Sequence, residues 1–297
     1  MADKFSIEHW DDLVGQEELV ERLKIHSQGA AMAGECLSPT LLASGAGMGK
    51  TTIAGLIAKQ LRNEMVVYVQ PVDINGLVTI VEEYTFATIF FDEIHRWSQQ
   101  QQENLLPLLE TGFVDHPQLG KFKSTALSFV AATTEPNRIV APVYDRFLIK
   151  PQFQPYKPSE MAHILRGMAD RLNTTISQQE ALALVPAAGG SPRNCKVIAL
   201  AARDLQTTSP RQIMRFLRIS KDGLNHDHAL YLRTLTQSTT GKAGLSTLTA
   251  VLQQPTAAVQ EVERMLIDRK LVQLSPGGRL ITQHGRQALK AANYLLQ

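Results

Sequence analysis

The sequence predicts an α/β fold: a phosphate-binding core on a parallel sheet, then a small helical domain, then a C-terminal winged helix. Three observations predict it. Between Leu41 and about Phe153, short apolar runs alternate with helical patterns, the pattern of a parallel sheet covered on both faces. Near the start of that region the chain reads Ala43-Ser-Gly-Ala-Gly-Met-Gly-Lys-Thr-Thr52, a glycine turn between a strand-like and a helix-like segment. Near the C-terminus, helical patterns precede two short apolar runs that flank Ser275-Pro-Gly-Gly278, which reads as a β-hairpin.

Each element follows from local pattern. Leu41, Leu42 and Ala43 form a buried-strand run, and Ile53, Leu56, Ile57 and Leu61 recur at helical spacing after the glycines. Val66 to Val69, Thr88 to Phe91, Leu127 to Ala132 and Phe147 to Ile149 are the further strands expected. Pro151, Pro155 and Pro158 then punctuate a linker. Four helix starts follow: Ser159 before Met161, Ile164, Leu165 and Met168; a capping box of Ser177 and Glu180; and N-caps at Ser191 and Ser209, each before a proline. Helices are expected over Ala229 to Leu235, Leu245 to Leu252 and about Thr256 to Arg269, with hairpin arms Leu271 to Leu274 and Arg279 to Thr282. The boundaries expected are 1–154 for the α/β domain, 155–224 for the helical domain and 225–297 for the winged helix.

At 297 residues the chain has room for two or three domains with substantial cores. Its 44% hydrophobic and 20% charged residues are those of an ordinary globular protein. No apolar stretch approaches bilayer-spanning length, and the N-terminal residues lack a basic region followed by an apolar one, so a cytoplasmic protein without membrane association is expected. Cys36 and Cys195 lie far apart, which argues against a disulfide framework or a zinc site. A formal charge of +2 is too small to indicate nucleic acid by itself, so any polyanion site must be local.

The glycine loop carries the first chemistry. Gly45, Gly47, Met48, Gly49, Lys50, Thr51 and Thr52 lead into a helix N-terminus, where backbone N–H groups and the helix dipole converge on a site suited to a polyphosphate. Lys50 would reach the β- and γ-phosphates of ATP and the Thr51 hydroxyl would ligate Mg2+. Ser44 stands where the general phosphate-loop pattern has its first glycine. The run from Thr88 to Phe91 ends in Asp92-Glu93, two carboxylates at the C-terminal end of a buried strand. In a phosphate-loop ATPase the first of such a pair holds magnesium and the second polarises the attacking water.

Asp92-Glu-Ile-His-Arg-Trp-Ser98, with the polar helix and Leu105, Leu106 and Pro107 behind it, resembles the RuvB branch of the AAA+ ATPases, the bacterial Holliday-junction branch-migration motors. Ala132-Thr-Thr-Glu-Pro136, Ala141-Pro-Val-Tyr-Asp-Arg-Phe147, Asp12-Leu-Val-Gly-Gln16 and Gly190-Ser-Pro-Arg193 are similar to further motifs of that family, in order along nearly the whole chain. The resemblance implies that Thr134 senses the γ-phosphate, with Thr133 as the alternative, that Arg146 is an arginine finger and that Arg193 is the lid sensor. It also implies that Arg146 serves a neighbouring subunit, hence a homo-oligomeric ring, expected to be a hexamer, acting on double-stranded DNA or a Holliday junction. Arg193 lies in a helix's first turn, where a cation is unfavourable unless an anion faces it. In the winged helix the resemblance assigns DNA-backbone contact to Arg279, with His284, Arg286 and Lys290 following, while the mixed charges from Glu261 to Lys270 argue against direct base readout.

The chain departs from the family between Phe113 and Phe129. There the relatives extend a hydrophobic hairpin to a junction-binding protein partner, and this segment is shorter and polar. Gly277 stands where the family often has another arginine. The second reading is therefore an ATP-switched, DNA-bound scaffold that recruits or loads a replication, recombination or transposition partner. His95, Trp97 and the Gln99 to Gln102 run are expected to be structural or solvent-facing.

Overall fold

The computed structural model describes residues 5–124, 126–238 and 242–296. They form two compact units, the first comprising Met1–Glu160 with Ser191–Arg193 and the second Met161–Gly190 with Asn194–Gln297. No helix among the described residues is long and apolar enough to cross a membrane.

In the first unit, strands β1 (Thr40–Ala43), β2 (Glu64–Tyr68), β3 (Phe86–Phe91), β4 (Phe113–His116), β5 (Gly120–Lys123) and β6 (Ala126–Thr133) alternate with helices α1 (Glu17–Ala33), α2 (Lys50–Gln60), α3 (Ile74–Glu83), α4 (Gln99–Glu103), α5 (Leu106–Thr111) and α6 (Ala141–Arg146). Four strands form a parallel sheet in the order β1-β6-β3-β2. Successive side chains of a strand point to opposite faces, and the sheet is buried on both. Leu41, Ile89, Phe91, Phe129 and Ala131 enter one core, whereas Leu42, Phe90, Val130 and Ala132 enter the other. This two-sided burial explains why the strands read as continuous apolar runs.

Phe147 to Ile149 does not form a strand. Thr40 and Ala43 make only isolated parallel bridges to Ile149 and Gln152. Pro151 lies between those bridges and has no N–H to donate, so the pairing does not propagate. Gln102 is not on the solvent face: it is 2% exposed, donates to the Trp97 carbonyl and accepts from the Val140 N–H. Trp97 is buried edge-on against Phe91. Strands β4 and β5 pair as a four-residue hairpin whose tip carries exposed Leu119.

The second unit contains most of helix α7 (Pro158–Asp170), then α8 (Gln178–Ala188) and, past its first two residues, α9 (Pro192–Asp204). There follow α10 (Pro210–Phe216), α11 (His226–Gln237), β7 (Lys242–Ala243), α12 (Leu245–Leu252), α13 (Thr256–Asp268), β8 (Val272–Ser275), β9 (Gly278–Ile281) and α14 (Gln283–Ala292). The Ser177–Glu180 capping box forms. Ser209 precedes its helix, but its side chain makes no capping bond, and α7 starts at Pro158, so Ser159 lies inside it. Strands β7, β9 and β8 form a three-stranded antiparallel sheet beside α11, α12 and α13, which is a winged helix. Arg269 joins it to the preceding helices by donating to the carbonyls of Asp222 and Pro186.

Candidate active site

The glycine loop connects β1 to α2. Ser44 needs no glycine, because positive φ begins at Gly47 (73°) and recurs at Gly49 (97°), and Ser44 is not in that region. Its N–H donates to the Thr133 carbonyl at 3.1 Å, which extends the β1–β6 pairing into the loop. Gly49 is the N-cap of α2 and no side chain caps the first turn, so that end is suited to an anionic ligand.

Lys50 is 7% exposed, and its ammonium donates to the Ser44 and Gly45 carbonyls at 2.9 and 3.1 Å. Burial lowers its pKa, opposed by the charges of Glu93 and Asp92 and reinforced by that of Arg193. Gly47 is required twice. Beyond its φ, a Cβ there would lie 2.2 Å from Ser191 Oγ and 2.8 Å from Arg193 Cβ. The Ser191–Arg193 segment of the first unit thus lies directly on the loop, with the Arg193 N–H facing the Gly47 carbonyl at 3.4 Å.

The carboxylates arrive from β3, two strands from β1. Asp92 N–H donates to the Tyr68 carbonyl, and the chain turns at Glu93, which has φ 52°. That left-handed residue is uncommon for a side chain of this size and marks a constrained turn. Glu93 Oε2 accepts the Thr134 N–H and hydroxyl, each at 3.0 Å. Thr133 is fully buried and its oxygen accepts the Glu135 N–H, whereas Thr134 is half-buried. Thr51 is exposed at the start of α2. The donor set fits a nucleotide with a hard divalent cation: backbone N–H groups and an ammonium for phosphates, and the Thr51 and Asp92 oxygens for magnesium. The described residues hold no cluster of three or more His, Cys, Asp or Glu suited to a metal.

A family model for the P-loop domain of the Holliday junction DNA helicase RuvB matches residues 6–153, and another for the RuvB C-terminal winged helix domain matches residues 221–290. The chain belongs to the RuvB family. The Holliday junction branch migration complex subunit RuvB of Christiangramia forsetii is 27% identical over 303 aligned residues, covering 94% of this chain and 88% of the relative. That of a Nitratiruptor species is 28% identical, covering 95% and 90%. Among solved structures, the Thermotoga maritima RuvB Holliday junction branch migration motor superposes with a TM-score of 0.87 at 25% identity, over 97% of this chain and 99% of that one.

In this RuvB-family chain the remaining site residues are more dispersed. Arg146 ends α6, with its guanidinium 3.2 Å from Glu110 and both side chains about half exposed. Arg279, to which the resemblance assigned DNA-backbone contact, is 20% exposed and paired within the wing. Its Nε and Nη2 donate to the Glu263 oxygens at 2.6 and 3.2 Å, and Tyr231 donates to the same carboxylate at 2.6 Å. Burial pushes the Glu263 carboxyl upward, but the Arg279 and Tyr231 hydrogen bonds and the Arg279 charge outweigh it and hold its pKa below the ordinary range. Arg286 and Lys290 on α14 are exposed, as is His284.

His95, which the sequence reading left as structural, lies against Glu93. It is 6% exposed, with Nδ1 3.0 Å from Thr133 Oγ1 and 3.1 Å from Glu93 Oε2, and Nε2 3.4 Å from Glu135 Oε1. Burial lowers its pKa, opposed by the charges of Glu93 and Glu135. The available signal was its place two residues after a carboxylate, in the short 3-10 turn Ile94–Arg96.

Proposed function

We propose that this chain is an ATP-driven DNA motor: it hydrolyses ATP in a ring of identical subunits, expected to be six, and couples turnover to movement of duplex DNA, as in branch migration of a Holliday junction. The observation that carries the proposal is the grouping of Lys50, Asp92, Glu93 and Thr134 at the C-terminal ends of adjacent parallel strands, with the Arg193 segment against the glycine loop. Membership of a family whose relatives are described as branch migration subunits supports the DNA task.

In this reading the N–H groups of the glycine loop and first turn of α2 bind phosphates, and Lys50 exchanges its loop carbonyls for them. Magnesium would be held by Thr51 and Asp92 and would neutralise phosphate charge. Glu93 takes a proton from the attacking water, Thr134 reads the γ-phosphate, and Arg193 monitors nucleotide from the lid. Arg146 stabilises developing charge at a neighbouring subunit's site, a role worth about 10³–10⁵ in rate. The motor function divides among an ATPase domain (1–154), a lid (155–224) and a winged helix (225–297). Exposed Arg286 and Lys290 are better placed than Arg279 to meet DNA phosphates.

The test is Glu93→Gln. It removes the base while keeping shape, so ATP binding stays within about threefold and turnover falls by at least about 10²-fold. Wild-type turnover in the variant would refute the assignment. The short hairpin and the internal pairing of Arg279 favour the second reading, a DNA-bound loader or scaffold reset by ATP. ATP-dependent branch migration by the protein alone would exclude that reading.

A further inference from the structure

The carboxylate assigned as the base is not held by its own backbone turn alone. The contacts that described residues make with the Glu93 carboxylate fall on one oxygen, Oε2: the Thr134 N–H and hydroxyl hydrogen-bond it, and His95 Nδ1 lies 3.1 Å from it. We infer that His95 is a positioning residue for Glu93, anchoring Oε2 so that Oε1 is presented to the attacking water. The inference rests on the reading of Glu93 as the base in ATP hydrolysis.

The ring sits close against the carboxylate. The Nδ1 hydrogen bond runs to Thr133 Oγ1 at 3.0 Å, and the same nitrogen stands 3.1 Å from Glu93 Oε2, so a hydrogen carried there bears on both oxygens. Thr133 Oγ1 in turn accepts the Glu135 N–H at 3.0 Å, which fixes the oxygen against which the imidazole rests. The ring is itself immobilised, being 6% exposed at the foot of the Glu93 turn. Both sides of the carboxylate anchor are therefore supplied by rigid elements, the end of β6 and the 3-10 turn.

The contact matters most with ATP bound. A Thr134 hydroxyl that turns to a γ-phosphate stops donating to Glu93, leaving the Thr134 N–H and His95 to hold the carboxylate. Loss of the imidazole at that stage frees the carboxylate to rotate. Misplacing a reacting group by 1 Å can cost about 10²-fold.

The test uses three variants of the full chain. Asn carries its amide nitrogen near the position of Nδ1, Gln carries it near that of Nε2, and Ala carries neither. ATP turnover and the affinity of a fluorescent ATP analogue are measured for each. His95→Ala and His95→Gln are expected to lower kcat by about 10- to 100-fold, with KM and nucleotide affinity within about threefold, and His95→Asn to stay within about fivefold of wild type. Wild-type kcat in His95→Ala, or an equal loss in all three variants, would overturn the inference, the second outcome marking a packing role. Should the alanine variant fail to fold, the Asn and Gln variants, which keep the volume more closely, decide the matter between them. Glu93→Gln is run in parallel. If it is inactive while His95→Ala is fully active, only the positioning role falls; if Glu93→Gln turns over like wild type, the base assignment falls and the positioning role with it.

Discussion

Replacing Arg279 by methionine separates two uses of one guanidinium. In the wing Arg279 makes two bonds to Glu263, whose side chain is 10% exposed against 20% for Arg279. Removing one partner of a buried ion pair costs about 3–5 kcal/mol. Residual solvent access and the retained 2.6 Å bond from Tyr231 place this site near the lower end, at about 2–3 kcal/mol. Methionine keeps the apolar stem, so little of the loss is packing. Trp10 and Trp97 both lie in the first unit, so tryptophan fluorescence does not follow the wing. Amide hydrogen exchange of β8 and β9 in the full chain does, and 2–3 kcal/mol corresponds to exchange about 30- to 150-fold faster. The double variant Glu263→Leu/Arg279→Met removes both charges and is expected to recover most of that loss, because the cost lies in the carboxylate left behind. DNA affinity and its salt dependence should be unchanged in Arg279→Met. Unchanged exchange together with a salt slope shallower by about 1 would refute the reasoning and place Arg279 on a phosphate.

Two further outcomes are expected. The Arg146–Glu110 pair is exposed and contributes at most about 1 kcal/mol, so Arg146 can leave Glu110 at little cost; if it serves a neighbouring site as proposed, Arg146→Ala and Glu93→Gln should each be inactive alone yet regain ATPase activity when mixed, and failure to complement would refute shared sites. In α11, His228 Nδ1 accepts the Asn225 N–H at 3.1 Å, and burial, with the Arg269 charge and against that of Asp227, lowers its pKa to about 4. The unfolded state then binds the extra proton first, so stability present above about pH 6.5 is lost as pH falls towards 4, by about 2 kcal/mol between pH 7.5 and 5. Urea midpoints at the two pH values should differ less in His228→Gln, which retains an acceptor but does not titrate; an equal difference would exclude His228 as the source.

The alternation of strands and helices was legible because both periods are local, and the two-faced sheet leaves long apolar runs in β3 and β6. The loop was legible despite Ser44, since the φ requirement falls on Gly47 and Gly49, which the sequence supplies. What local pattern could not show was pairing across distance. Glu263 reads as one more acid on a helix face, and only the approach of β9, sixteen residues on, turns it inward to Arg279 and Tyr231. Gln102 reads as part of a polar run, until Trp97 and Val140 give its amide three-dimensional partners.

The same limit applies at the candidate site, and there it alters the chemical argument. Spacing places Asp92 and Glu93 at a strand end, but it does not say which way the second carboxylate faces. That is decided by the left-handed turn at Glu93, which carries its side chain back to the end of β6. A carboxylate pointing into open solvent would need ligand binding to organise it; this one is already held on one oxygen by Thr134 and His95. Preorganisation of that kind lowers the reorganisation required during proton transfer. If the Thr134 hydroxyl turns to a γ-phosphate, as proposed, the Thr134 N–H and His95 remain at Oε2, so the carboxylate would stay oriented when the substrate arrives.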